Sequence, residues 1–369
     1  MRILQLGKFY YPVHGGIEQV MFEITEGLNE SKGYHCDVLC ANTNLSSQTE
    51  QFQNYTVYRA GSLGMLKSTS ISPQLIYKLY KIHKEYDIIH VHHPDPMTFL
   101  ALFFVRPHAK IIVHWHSDII RQKKALRYFL PLQRWVLNTA QKVITTSDNY
   151  AKHSSHLLSF QKKLTTIPIG ITPKKREIPN INIKETYRDK KIIFSLGRLV
   201  SYKGFNYLVE SASYLDDSFI ILIAGDGPQK EELNDLIEKK QLSHKVKLLG
   251  RITEEHKAYY LDACFTFCLP SVTKAEAFGV VLLEAMQFAK PLITTDMKES
   301  GISWVNVDQK TGLHVKQKSA KSLAEAFIKL AKDKKQYARF CKNAYERYEK
   351  LFTTKSMLDR LKKLYNSLV

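Results

Sequence analysis

At 369 residues, 44% hydrophobic and 24% charged, the chain has the profile of a folded protein of about two ordinary domains, which excludes disordered and fibrous classes. Its 54 Lys and Arg against 35 Asp and Glu leave a net charge of +19, pointing to an anionic partner without naming one. The cysteines Cys36, Cys40, Cys264, Cys268 and Cys341 are too scattered for a disulfide framework or a metal quartet, and read as reduced thiols of a cytosolic protein.

The chain opens with RILQLG, a strand that begins almost at once and lacks the long apolar core and cleavage site of a signal peptide. An aromatic loop leads through Gly15 and Gly16 to IEQVMFEITEGLNESKG, whose apolar spacing predicts a helix ending near Gly33. HCDVLCA and TVYRAG read as strands, and Pro73 to Glu85 as a helix. DIIHVH, KIIVHWH and KVITTSD repeat one form, an apolar run whose C-terminal end turns polar, and TTIPIG closes the series. Strands that are apolar throughout and separated by helices indicate a parallel sheet covered on both faces. Ligands of such sheets bind beyond the C-terminal strand ends, where His90, His92, His114, His116 and Ser147 fall.

TPKKREIPNINIKETYRDK is polar, without a clean period, and reads as a linker. The βα pattern restarts with KIIFSLGRL, FNYLVESASYL and FIILIAGDG, and continues through VKLLGR, CFTFCLPS and KPLITTD. From Ser319 onward the pattern is helical, with a break near Phe352. The expected architecture is α/β: a Rossmann-like domain over 1–175, a linker over 176–190 and a second such domain over 191–350. A helical tail over 351–369 is expected to pack back on the first domain. No stretch approaches the ~20 apolar residues that span a bilayer. Gly225 and Gly227 resemble part of a dinucleotide fingerprint, but Lys230 stands where its third glycine belongs, so a lone dehydrogenase is disfavoured.

Four constellations carry chemistry. In SVTKAEAFGVVLLEAMQFAKPLITTD seven residues separate Glu276 from Glu284, with Gly279 between them. A helix starting near Gly279 would turn free N–H groups toward an anion, and the two carboxylates would accept from hydroxyls on either side of it. In SLGRLVSYKGFNYLVESA, Gly197, Arg198, Lys203 and Gly204 place two cations on tightly bending backbone after a strand, as phosphate binding requires. The third, GKFYYPVHGGIEQV, sets a glycine pair between first strand and first helix but lacks the lysine and hydroxyl of a P-loop. The fourth is histidine: His90, His92, His93, His114 and His116 lie on neighbouring strands. Alternate strand positions share only one face, so a hydrogen bond from a neutral His116 to a substrate hydroxyl is preferred to a metal site. Asp118 would orient His116 or meet the acceptor.

With these residues in hand, the chain resembles family 4 (GT4) of the retaining glycosyltransferases, which have the GT-B fold of two Rossmann-like domains facing across a cleft. The resemblance covers essentially the whole length, most specifically EAFGVVLLEAM, GRLVSYKG and AGDGP, with Gly15-Gly16 and HWHSD in support. It implies that Arg198 and Lys203 bind and stabilise the departing diphosphate, that Glu276 contacts the donor sugar and that Glu284 takes the ribose hydroxyls. Backbone at Phe278, Gly279 and Val280 would hold sugar and phosphate, Gly16 would approach the donor, and His116 would lie near the 6-position of the transferred sugar. Gly225 and Arg251 would form the nucleotide pocket, with Ser195 and Ser271 as minor contacts. No Asp-x-Asp motif is present, and neither metal nor cofactor is expected. The resemblance implies front-face transfer with retention, in which the leaving phosphate receives the acceptor proton.

HSDIIRQK looks like the mannosyltransferases of bacterial surface-polysaccharide assembly, so GDP-mannose is the expected donor and a lipid-linked or oligosaccharide acceptor the expected partner. A UDP-sugar enzyme of the same fold is the near alternative. A nucleotide-sugar epimerase, or a non-catalytic binder of nucleic acid or anionic surfaces, ranks below it. With no zinc-finger spacing and no RNA-binding strand motif, a nucleic-acid partner is not expected. Between Arg106 and Lys142 the only acid is Asp118. The segment Ile119 to Lys142 either lies on an anionic membrane at the inner face of the bacterial plasma membrane or forms a substrate-flanking helix with a solvated basic face.

Overall fold

The computed structural model describes residues 1–13, 15–119, 123–173 and 183–369. The chain divides into two units, Met1–Thr172 with Thr353–Val369, and Pro173–Phe352. In the first, the strands are β1 (Arg2–Gly7), β2 (His35–Ala41), β3 (Gln48–Gln51), β4 (Thr56–Ala60), the ribbon β5 (Met65–Leu66) and β6 (Thr69–Ser70), β7 (Ile88–His93), β8 (Lys110–Trp115), β9 (Lys142–Thr145) and β10 (Leu164–Thr166). The main sheet runs β10-β9-β8-β7-β1-β2-β4-β3, parallel throughout except for β3 on its edge. β7 is buried along its whole length. This is why even its histidines lie in the interior. The helices here are α1 (Gly16–Asn29), α2 (Pro73–Ile82), α3 (Pro96–Val105), α4 (Lys123–Thr139) and α5 (Asp148–His153). α1 stops four residues short of Gly33. The Asn29 side chain donates to the carbonyls of Thr25 and Cys36 and accepts from the Cys36 N–H, tying the helix end to β2.

In the second unit, α6 (Ile183–Thr186) precedes a sheet of β11 (Lys191–Leu196), β12 (Phe219–Ala224), β13 (Val246–Gly250), β14 (Thr266–Leu269), β15 (Leu292–Thr295) and β16 (Gly312–Val315). These strands are parallel and ordered β13-β12-β11-β14-β15-β16. Counted from β11, that is the order of a Rossmann sheet, and its direction of winding reverses between β11 and β14. The covering helices are α7 (Phe205–Ser211), α8 (Lys230–Lys239), α9 (Glu254–Ala263), α10 (Val280–Gln287), α11 (Ile302–Val305), α12 (Ala320–Lys332) and α13 (Lys334–Leu351). Their apolar faces meet the sheet in a core that includes Ile193, Phe205, Ile221, Phe327 and Phe340.

α14 (Thr354–Asn366) belongs to the first unit. It packs against α1 so closely that a Cβ at Gly27 would stand 2.2 Å from the Leu358 side chain. Tyr365 of α14 is fully buried, its hydroxyl 2.5 Å from Nδ1 of His90. Of the stretch read as a linker, residues 176–182 lie outside the described residues, while α6 forms within the remainder. No helix among the described residues is long and apolar enough to cross a membrane.

Candidate active site

In the second unit the C-terminal strand ends carry most of the singled-out residues. The loop after β11 holds Gly197, exposed Arg198 and buried Lys203. The loop after β14 holds Ser271, Glu276, Phe278 and Gly279, and Val280 opens α10. These two loops flank the winding reversal, where open α/β sheets bind ligands. They are pressed together: the Val272 N–H donates to the Tyr202 carbonyl at 2.8 Å, and a Cβ on Gly204 would fall 2.3 Å from the Pro270 carbonyl oxygen. Only glycine allows that approach.

Across this junction Lys203 Nζ meets Glu276 Oε2 at 2.5 Å, with both side chains about nine-tenths buried. The Ser271 hydroxyl donates to the same carboxylate oxygen at 3.1 Å. A buried ion pair contributes little net stability because desolvation offsets attraction. What the pair does supply is a cation and a carboxylate held in fixed positions. No side chain caps α10 at Gly279, and its first turn carries no acid, so its leading N–H groups are open to an anion. Arg198 has no ion-pair partner among the described residues. Glu284, inside α10, meets Lys257 Nζ of α9 at 2.6 Å, and that lysine also meets Glu254 at 2.9 Å. Gly225 follows β12, where a Cβ would lie 1.9 Å from the Gly197 carbonyl oxygen. Arg251, highly exposed after β13, pairs with Asp226 at 3.4 Å.

Three of the expected residues turn their side chains inward. The Ser195 hydroxyl is fully buried and donates to the Cys268 carbonyl at 2.6 Å, so it fastens β11 to β14 and does not face a ligand. The Phe278 ring packs edge-on to Phe352, leaving only its backbone for a ligand. Ser271 is fully buried as well and acts on Glu276.

In the first unit the strand-end histidines form a buried stack. His114 lies on His116 with centroids 4.1 Å apart, His92 on His116 at 5.2 Å and His90 on His92 at 4.8 Å. Burial pushes His90 and His116 down to about 3 and holds His92, His93 and His114 well below the usual range, so all five are neutral near pH 7. Nitrogens of His92, His114 and His116 come within 4.8 Å of one another. Stacked rings aim their lone pairs side by side, so gripping a metal ion would require at least one ring to turn. His116 bonds through Nε2 to Nδ1 of His92 at 2.9 Å. Asp118 does not orient His116: its Oδ1 accepts from Trp115 Nε1 at 2.9 Å and from the Ser154 hydroxyl at 2.7 Å, and its N–H donates to Tyr150. Gly15 caps α1 in extended backbone, with Gly16 as its first residue and open space where a Cβ would stand.

Two parallel Rossmann-like sheets, one with phosphate-suited cations and paired glutamates at its winding reversal, define a nucleotide-binding α/β enzyme. Comparison with known proteins makes this specific. The model for "Glycosyltransferase Family 4" matches residues 14–175, and that for "Glycosyl transferases group 1" matches residues 177–347. The chain is 30% identical to O-antigen chain mannosyltransferase C of Escherichia coli, over 100% of this chain and 99% of that one. It is also 30% identical to D-rhamnosyltransferase WbpZ of Pseudomonas aeruginosa, over 96% of this chain and 92% of that one. Among solved structures, the HepE protein of Anabaena in complex with UDP superposes with a TM-score of 0.79 at 19% identity, each chain covered to 100%. The chain belongs to the family 4, group 1 glycosyltransferases. It is a glycosyltransferase with the GT-B fold.

The expectation of GDP-mannose as donor is corrected by these structures: HepE is seen with UDP and, in a further crystal, with UDP-glucose. The physical reason is that cations and paired glutamates suit diphosphate, sugar and ribose, which every nucleotide sugar shares, so the motifs carry no information about the base. Lys257, the partner of Glu284, escaped the sequence reading. It sits in a helix with no clear apolar stripe, and its one visible signal is the i, i+3 spacing from Glu254.

Proposed function

We propose that the chain is a retaining hexosyltransferase that takes its sugar from a UDP-sugar and adds it to a lipid-linked or oligosaccharide acceptor in surface-polysaccharide assembly. The observation that carries this reading is the Lys203–Glu276 pair at the β11/β14 reversal, beside the uncapped start of α10. Arg198, Lys203 and the first N–H groups of α10 hold the diphosphate, and charge developing there as the glycosidic bond breaks is met by donors already in place. Glu276 accepts from the sugar hydroxyls, Glu284 from the ribose, and Gly225 with Arg251 borders the base. The acceptor attacks from the side of the leaving phosphate, which takes its proton. In the first unit, His116 offers a ring nitrogen to a substrate hydroxyl, and Gly16 leaves open space at the start of α1.

UDP in the HepE structures and the polysaccharide-related names of the curated relatives support this assignment. Membrane association goes with it. α2, α3 and α4 lie side by side and expose Tyr77, Tyr80, Phe104 and Tyr128 beside Lys78, Lys81, Arg106 and Arg127, a mixture suited to an anionic inner-leaflet surface. Residues 120–122, and with them Arg121, lie outside the described residues.

The test is donor turnover, comparing UDP-hexoses with GDP-mannose over bacterial lipid-linked acceptors. Transfer from a UDP-hexose, lost in folded Glu276→Gln and Lys203→Ala proteins, is expected. Transfer from GDP-mannose alone would overturn the donor assignment. For the membrane, flotation with phosphatidylglycerol vesicles should weaken when Arg121, Lys123, Lys124 and Arg127 are neutralised together, and unchanged flotation would refute it.

A further inference from the structure

We propose that Gln5 and His92 are positioning residues that fix which ring nitrogen of His116 carries its proton, and thereby how His116 meets the donor sugar. The inference rests on the reading of His116 as a sugar-contacting group.

Three adjacent strands supply the chain: β1 carries Gln5, β7 carries His92, and His116 directly follows β8. Gln5 Oε1 lies 2.7 Å from His92 Nε2, and His92 Nδ1 lies 2.9 Å from His116 Nε2. All three residues are buried, so no bulk water substitutes for a missing partner. Burial also keeps both rings neutral, and a neutral imidazole has one N–H and one bare nitrogen. The rest follows by elimination. A carbonyl oxygen only accepts, so His92 Nε2 carries the hydrogen and His92 Nδ1 is bare. That bare nitrogen must accept, so His116 donates from Nε2. The Nδ1 of His116 is then left as an acceptor for a hydroxyl.

The outcome depends on the Gln5 amide. Turned end for end, it would donate to His92 and invert every bond in the chain, making His116 Nδ1 a donor. Its nitrogen end lies near the Cys36 thiol and the Tyr365 hydroxyl but is buried without a hydrogen bond to either, so the Oε1 contact to His92 is the only bond its side chain makes among the described residues.

The experiment is long-range proton–nitrogen NMR on the full chain labelled with nitrogen-15 histidine, the His116 signal being identified by its loss in His116→Gln. A protonated Nε2 and a bare Nδ1 are expected. Gln5→Met, of similar size but without the acceptor, should mix the two tautomers and lower kcat about fivefold, the worth of one ordinary hydrogen bond. Gln5→Glu retains an acceptor and should restore the original tautomer. Unaltered His116 shifts in Gln5→Met would overturn the relay, whatever turnover does. Shifts that change while turnover does not would support the relay and remove His116 from the sugar contact.

Discussion

Acidification should unfold the first unit through its histidines. Each of the five binds no proton in the folded state at pH 5.5, because burial holds it down; His90 and His116 lie at about 3. In the unfolded chain each returns to 6.5, the ordinary value, and is about nine-tenths protonated at that pH. The unfolded state therefore binds more protons between pH 3 and 6.5, and stability falls as pH drops through that window. The loss between pH 7.5 and 5.5, as each unfolded imidazole takes up its proton, is about 7 kcal/mol for the five together. Asp95 opposes it. Burial raises its carboxyl from 3.8 to about 6, so the folded state binds the extra proton there and recovers about 1 kcal/mol. A net loss of about 6 kcal/mol approaches the whole stability of an ordinary domain.

The assay is urea unfolding at the two pH values, followed by tryptophan fluorescence in a Trp304→Phe background, which leaves Trp115 and Trp135 in the first unit to report. With a urea slope of about 2–3 kcal/mol per molar, the midpoint should fall by about 2 M or more. His114→Phe removes two ring nitrogens that have no hydrogen-bond partner and should reduce the loss by about 1 kcal/mol. A midpoint that stays fixed between the two pH values would refute the reasoning.

Three further outcomes concern the second unit. Glu276→Gln and Lys203→Met should each lower kcat by about 10²–10³, and the double variant by much less than the product, as a double-mutant cycle would register. Gly225→Ala, whose Cβ would strike the Gly197 carbonyl oxygen, should cost about 2–3 kcal/mol in thermal unfolding and weaken nucleotide binding measured by calorimetry. Ser195→Ala should cost about 1–2 kcal/mol of stability by leaving the Cys268 carbonyl short of a donor, with steady-state kinetics unchanged.

The fold class was legible because buried parallel strands announce themselves as apolar runs, as the cores of KIIFSL and IIHVHH and the whole of FIILIA do. Short pieces with little apolar content were not: β3 is four polar residues on an edge, and β16 contains only three apolar positions or glycine beside His314. Within the candidate site, loop residues such as Lys203 and Glu276 could be found because their spacing is local. The Lys257–Glu284 pair could not, since it joins two helices through the fold. Ser195 misled for a related reason. A strand-end serine looks the same in sequence whether its hydroxyl faces a ligand or a neighbouring carbonyl. The base of the donor was illegible because cations and carboxylates suited to phosphates and hydroxyls carry no information about it.

The membership of α14 has a consequence for biosynthesis. Residues 173–352 form an insertion within the first unit, whose sheet leaves the ribosome long before the helix that covers α1 and seats Tyr365 against His90. Until α14 emerges, the groove beside Gly27 stands open and His90 lacks the hydroxyl that meets it. The unit begun first is therefore completed last, and a nascent chain halted after α13 would hold a complete second unit beside an unfinished first one.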